Sequence, residues 1–193
     1  MKLEEVDIRG KKIITDRLVL RLFEDKDLND FYEYAKVEGV GEAAGWTHHA
    51  NIEESKAILQ HFITEHRTFA LTEKASGKVI GSLGIEKSED VFCKDYGDKN
   101  INELGYVLSK DYWGAGLMTE AVKAVIKFVF DEWNLDAVTC SHFIENDRSR
   151  RVIEKCGFRY YGDTVFVGRN GQKHKSKCYI ITREEYQNAI ADK

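Results

Sequence analysis

One segment constrains the fold more than any other. It runs from Glu103 through Ser109 to Trp113-Gly114-Ala115-Gly116 and on past Leu117. Leu104, Tyr106 and Leu108 fall on one face, the period of a half-buried strand. From Leu117 to about Glu132, residues Ala121, Ala124, Val125, Phe128 and Val129 recur at helical spacing. The segment therefore reads as strand, glycine-containing turn, long helix. The first N–H groups of a helix have no intrahelical partner, and the helix dipole is positive there. Glycines allow positive φ and close backbone approach. Such a turn is either an ordinary connection before a core helix or an anion site that needs no lysine or arginine. Two phosphate-binding patterns do not fit it. The Gly-Lys-Ser/Thr of a P-loop is missing, and Thr119 stands where the dinucleotide pattern needs its third glycine.

The rest of the chain alternates strands and helices. Leu18–Leu22 reads as a strand and Asp25–Val37 as a helix with Leu28, Phe31, Tyr32 and Ala35 inward. Residues 39–46 form a Gly-rich loop or broken helix. Asn51 caps a helix to about His66, with Ile58, Leu59, Phe62 and Ile63 inward. Thr68–Glu73 and Val79–Glu86 make a hairpin around Ser76-Gly77, and Ser88–Asn100 reads as a polar surface loop. Further strands are expected at Asn102–Ser109 and Ala137–Phe143, and a helix at Asn146–Cys156 that stops at Gly157. Phe158–Gly168 and His174–Thr182 form strands around Asn170-Gly171, and a short helix follows from Arg183. Proline is absent, so the turns rest on Gly, Asn and Asp. No repeat or linker interrupts the 193 residues, which read as one α+β domain around a largely antiparallel sheet.

Composition narrows the function classes. The 33 acidic and 29 basic residues give a net charge of −4, so no direct nucleic-acid binding is expected. No stretch approaches the roughly 18 consecutive apolar residues of a membrane span. The charged N-terminus is not a signal peptide, so a cytoplasmic protein is expected. Cys93, Cys140, Cys156 and Cys178 lie too far apart in sequence for a zinc ribbon or redox pair, and no metal is expected. They are read as structural thiols, with a catalytic cysteine, Cys140 or Cys156, as the alternative.

The glycine segment resembles the cofactor motif of the GNAT superfamily of acetyl-CoA-dependent N-acetyltransferases, Gln/Arg-x-x-Gly-x-Gly/Ala at a helix start. Gly114 and Gly116 fill the two small positions, and Asp111 replaces the usual Gln or Arg. Gly105-Tyr106 in the strand, Trp113-Gly114-Ala115-Gly116 in the turn and Thr119-Glu120-Ala121 in the helix resemble the ribosomal-protein N-terminal acetyltransferase branch. Thr15-Asp16-Arg17-Leu18-Val19-Leu20-Arg21 resembles its opening strand. Asn146-Asp147-Arg148-Ser149 with Gly157-Phe158 resembles its Asn-x-x-Ser helix and closing pair. The likeness spans about 15–182. It implies a mixed sheet flanked by helices, with a splayed central strand.

The resemblance also implies roles. Coenzyme A, carried as acetyl-CoA, would lie against Trp113, Gly114, Ala115, Gly116, Leu117, Met118 and Thr119. Its pantetheine would pair with the backbone near Val107 and Leu108 and contact Asn146. Glu103 would be the general base; the other reading is a solvated strand-end glutamate. The tyrosine that many members use to protonate the leaving thiolate is replaced by Ile153, which points to Ser149 instead. The acceptor would be a primary amine, on a protein N-terminus or a small molecule. Trp46, His48 and Tyr32 are candidate acceptor contacts; alternatively Trp46 is buried in a loop with two exposed histidines. Monomer and homodimer both remain open. The other reading of the whole is a catalytically degenerate CoA-binding or sensing module.

Overall fold

The structure is a computed structural model and describes residues 6–88, 96, 99–168 and 171–191. Cys93, Asn170 and most of the expected 88–100 loop lie outside the described residues. Among the described residues, eight strands form one sheet: β1 (Ile13–Ile14), β2 (Leu18–Leu22), β3 (Thr68–Glu73), β4 (Val79–Lys87), β5 (Ile101–Leu108), β6 (Ala137–Phe143), β7 (Arg159–Val167) and β8 (Lys173–Thr182). Their order is β1-β2-β3-β4-β5-β6-β8-β7. Every neighbouring pair is antiparallel except β5 with β6. The helices are α1 (Leu28–Ala35), α2 (Ile52–Glu65), α3 (Leu117–Glu132), α4 (Asp147–Lys155) and α5 (Arg183–Ala191).

Helix α3 buries Leu117, Met118, Ala121, Val122, Val125, Ile126, Val129 and Phe130. These are adjacent pairs repeating every four residues, a stripe that drives the helix onto the sheet. Each large apolar side chain buried this way contributes about 1.5–3 kcal/mol. They join Leu18, Leu20, Phe69, Leu71, Leu83, Ile85 and Leu104 in the main core. A second core on α1 and α2 holds Phe23, Phe31, Tyr34, Leu59, Ala70 and Val79.

Local signals placed α2 well. Asn51 adopts extended backbone and its side chain accepts from Glu54 N–H, while His66 closes the helix in the left-handed region at φ 54°. The first helix differs from expectation. Asp25–Asp27 is a 3-10 turn, and the α-helix proper covers only Leu28–Ala35. Bidentate pairing of Arg21 with Asp27 at 2.7 and 2.8 Å anchors that junction. Tyr34 rather than Tyr32 points inward; Tyr32 lies half-buried beneath Lys36 Nζ at 5.2 Å.

The sheet is splayed at one place. Strands β5 and β6 pair only at Ile101/Ala137, Asn102/Val138 and Glu103/Thr139. Beyond that point β5 stays with β4 as far as Leu108, and β6 stays with β8 as far as Phe143. A wedge opens between them, and α3 and α4 begin at its two sides.

Candidate active site

The wedge holds a cavity of about 550 Å³. One wall is the exposed edge of β5. Asp136 N–H donates to Asn100 O, and Ser109 N–H donates to Ile80 O. Backbone groups alternate along a strand, so Tyr106 and Leu108 present theirs to the wedge. Val107 turns its carbonyl toward Gly81 of β4. The sequence expectation named Val107 and Leu108 for this edge. Strand parity puts Tyr106 in place of Val107, and the Leu108 carbonyl accepts the Trp113 indole N–H at 2.8 Å. The side chains of Val107 and Leu108 both line the cavity.

The upper wall is the glycine turn. Gly114 and Gly116 have φ of 80° and 79°, and Gly116 is the N-cap of α3 with no side-chain cap. The first amides of a 16-residue helix are thus left to other partners. Trp113, Gly114, Gly116, Leu117, Met118 and Thr119 all line the cavity. Ala115 does not; its carbonyl accepts from Arg17 Nη1 at 2.8 Å. The same guanidinium holds Glu120 at 2.7 Å, and Thr15 Oγ1 donates to Glu120 at 2.6 Å. Burial works to raise the Glu120 pKa, but these hydrogen bonds outweigh it and hold the carboxyl below its usual range. The opening Thr15–Arg17 segment therefore braces the turn.

Helix α4 supplies the facing wall. Asn146 caps it, accepting from Ser149 N–H at 3.1 Å, and its amide donates to Ala43 O at 3.2 Å. Arg148, Arg151, Val152 and Lys155 share one face and line the cavity. The Arg148 guanidinium sits 3.9 Å from the Trp113 ring centroid. Sequence reasoning missed these cations, although their i, i+3, i+7 spacing from Arg148 was a visible signal.

At the base of the wedge Glu103 and Ser149 both line the cavity. Glu103 stands opposite Glu86, which lines it too. Ser149 Oγ lies 2.9 Å from Tyr106 Oη. Ile153 is fully buried in the main core. Burial pushes the Cys140 thiol well above its usual pKa and the Cys156 thiol up to about 12. Both stay protonated, which disfavours either as a nucleophile. His142, unforeseen in the sequence, is buried on the wall with Nδ1 2.8 Å from Phe143 O and Nε2 3.4 Å from Tyr179 Oη. The first contact makes Nδ1 the donor, because a carbonyl can only accept.

The far end is apolar, with Val40, Ala43, Ala44, Phe143 and Phe166. Gly45, at φ 85°, is required there: a Cβ would lie 2.4 Å from Phe166. Trp46, His48 and Tyr32 are not on the wall. Trp46 packs on His49 with ring centroids 5.1 Å apart, and His48 Nδ1 sits 2.8 Å from Glu42. His49 is buried against Ser55 Oγ at 2.7 Å, so the pair of exposed histidines does not exist. The early segment reaches the cleft through Ala43 and Ala44 instead. Among the described residues no cluster of three His, Cys, Asp or Glu could hold a metal ion, and no helix is long and apolar enough to cross a membrane.

A parallel pair that parts over a glycine-led helix, with cations on the facing helix, defines an α+β cleft suited to an extended, anionic ligand. The chain belongs to the GNAT acetyltransferase family, whose Acetyltransferase (GNAT) domain matches residues 17–159. It is 31% identical over 183 residues to the uncharacterized N-acetyltransferase YnaD of Bacillus subtilis, covering 91% of this chain and 99% of that one. Its fold is similar to a GNAT-family acetyltransferase from Bacillus anthracis, with TM-score 0.78, 24% identity and 90% and 99% of the two chains covered. It is also similar in fold to the ribosomal-protein-S5-alanine acetyltransferase of Vibrio fischeri, with TM-score 0.71, 19% identity and 91% and 98% covered.

Proposed function

We propose that this protein moves an acetyl group from acetyl-CoA to a primary amine by direct attack in a ternary complex. The observation that carries the reading is the wedge itself. It runs from the uncapped, positive end of α3 to Glu103 and Ser149, and between them lies a stretch of β5 that β6 no longer pairs. Phosphates suit the helix start and the cations Arg148, Arg151 and Lys155. Amide groups of a pantetheine arm suit the backbone edge of Tyr106 and Leu108. Asn146 stands beside that path.

The acceptor nitrogen must be neutral to attack. A lysine amine is about 0.04% neutral at pH 7, a deficit of roughly 4.6 kcal/mol, whereas a protein α-amine costs only about 1 kcal/mol. Glu103 takes the amine proton, directly or through water. The apolar end beneath Ala43, Ala44 and Phe166 receives the acceptor. The name of the Vibrio fischeri neighbour supports a protein N-terminus as acceptor, and a small-molecule amine fits the same chemistry.

Incubation with acetyl-CoA and a panel of N-terminal peptides, polyamines and amino acids, read by mass spectrometry, tests the proposal. Acetylated product that requires both enzyme and acetyl-CoA is expected. The buried Ile153, in place of a hydroxyl-bearing residue, favours a second reading, a CoA-sensing module. Tight CoA binding with no turnover on any amine would decide for it.

A further inference from the structure

We propose that Tyr106 is a positioning residue for Ser149, holding its hydroxyl toward the sulfur that leaves when acetyl transfer occurs. This rests on the acetyl-transfer reading of the same cleft. Tyr106 comes from β5 and Ser149 from the first turn of α4, the two walls of the wedge. The phenol lies 2.9 Å from Ser149 Oγ and 3.3 Å from Ser149 O. Ser149 N–H is itself held by Asn146 Oδ1 at 3.1 Å. The serine is thus held at its amide by Asn146 and faces the phenol with both its carbonyl and its hydroxyl. A free serine rotor has three staggered wells; in the proposed arrangement the phenol's single hydrogen goes to Oγ, the nearer of its two acceptors on Ser149, which directs the serine hydrogen elsewhere, and both residues line the cavity.

The pair does not release a proton. Burial pushes the Tyr106 phenol well above its usual pKa, so it remains a donor at working pH. The Ser149 hydroxyl keeps its proton too. What the pair supplies is a directed O–H to a sulfur carrying negative charge, and that sulfur takes its proton from solvent on release. Ile153, at the position where the resembling enzymes carry a tyrosine, is committed to the core. Tyr106 brings a phenol from β5 to the first turn of the same helix, one turn before Ile153.

Two measurements on Tyr106→Phe, Ser149→Ala and the double variant test this, with thermal melting and CoA affinity as fold controls. The first follows the thiolate ultraviolet band of bound CoA against pH, with desulfo-CoA as reference. In the wild type the bound thiol should titrate below the ~8.5 of a free thiol. Each single variant should raise it by about one unit, the scale of one hydrogen bond to a charged group, and the double variant should raise it no further. The second follows steady-state acetylation, where Tyr106→Phe should lower kcat about tenfold and leave KM for acetyl-CoA nearly unchanged. Ser149→Thr, which retains a hydroxyl, should recover most of the loss in Ser149→Ala. Unchanged thiol titration in Tyr106→Phe, additive shifts in the double variant, or a loss confined to KM would overturn the pairing. If Tyr106→Phe fails to fold, Ser149→Ala and Ser149→Thr decide from the serine side: equal thiol titrations in those two overturn it. A wild type that lowers the thiol pKa yet acetylates no amine would refute the enzymatic reading and leave the pair standing.

Discussion

Replacing Gly114 with alanine separates backbone strain from ligand binding. Gly114 has φ of 80°, and a Cβ there meets nothing within 4 Å. The stability cost is therefore conformational, about 1–2 kcal/mol for an L-residue in the left-handed region. For a chain of this length that corresponds to a Tm loss of about 2–8 °C. Gly10 provides a matched control. Its φ is 69°, a Cβ there also meets nothing within 4 Å, and the next residue, Lys11, pairs with Glu132 at the opposite end of α3. Sixteen helical residues put that end about 24 Å away. Gly10→Ala and Gly114→Ala should lose similar stability. Only Gly114→Ala places a methyl on the cavity wall beside the free helix amides. Loss of one charge-assisted hydrogen bond there weakens acetyl-CoA binding by about tenfold or more. Calorimetric titration with acetyl-CoA, alongside thermal melts, reads both quantities. Equal affinity in the two variants would refute the placement of the phosphates at this turn.

Three further outcomes follow from the same geometry. Glu103→Gln should reduce kcat/KM by about a hundredfold or more and remove the acidic limb of its pH profile; an unchanged profile would remove Glu103 from the chemistry. Partial burial raises the Glu42 pKa, but the His48 amide and ring and the Gly39 amide hold it at about 2 against an ordinary 4.5. Its folded value is the lower one, so its stabilisation is present above the ordinary value and fades as pH falls toward 2. The Tm gap between wild type and Glu42→Gln should accordingly shrink below about pH 4.5, and a pH-independent gap would show that the carboxylate charge is not what matters. Cys140→Ala and Cys156→Ala should retain acetyl transfer, since both thiols are held protonated; abolished turnover in a folded variant would point to a covalent acetyl-enzyme.

Much of the fold could be read from the sequence because local signals and burial agree. The helical recurrence of Ala121, Val125 and Val129 in α3, the Asn51 cap, the glycine turn that opens α3 at Gly116 and the stop at Gly157 each carry one physical cause. The wedge was expected from resemblance alone, because nothing in the alternation of β5 says that its parallel partner leaves after Glu103. Which backbone groups face the gap depends on that partner's register, and so Tyr106 was passed over in favour of Val107. The acceptor end was least legible. Trp46 and His48 stand out by residue type, yet Trp46 packs on His49 and His48 is tied to Glu42. The wall is made by Ala43 and Ala44, small residues with no chemical signature. His142 was hidden for a related reason: its position on the cavity depends on β6 and β8 turning away together.

The account stands most directly on where acetyl-CoA binds. A crystal structure of the protein with acetyl-CoA should show the pyrophosphate on the amides following Gly114 and Gly116. The pantetheine should lie along the Tyr106–Leu108 edge, with the thioester between Glu103 and Ser149. Acetyl-CoA bound outside the wedge, or with its phosphates away from the start of α3, would contradict it.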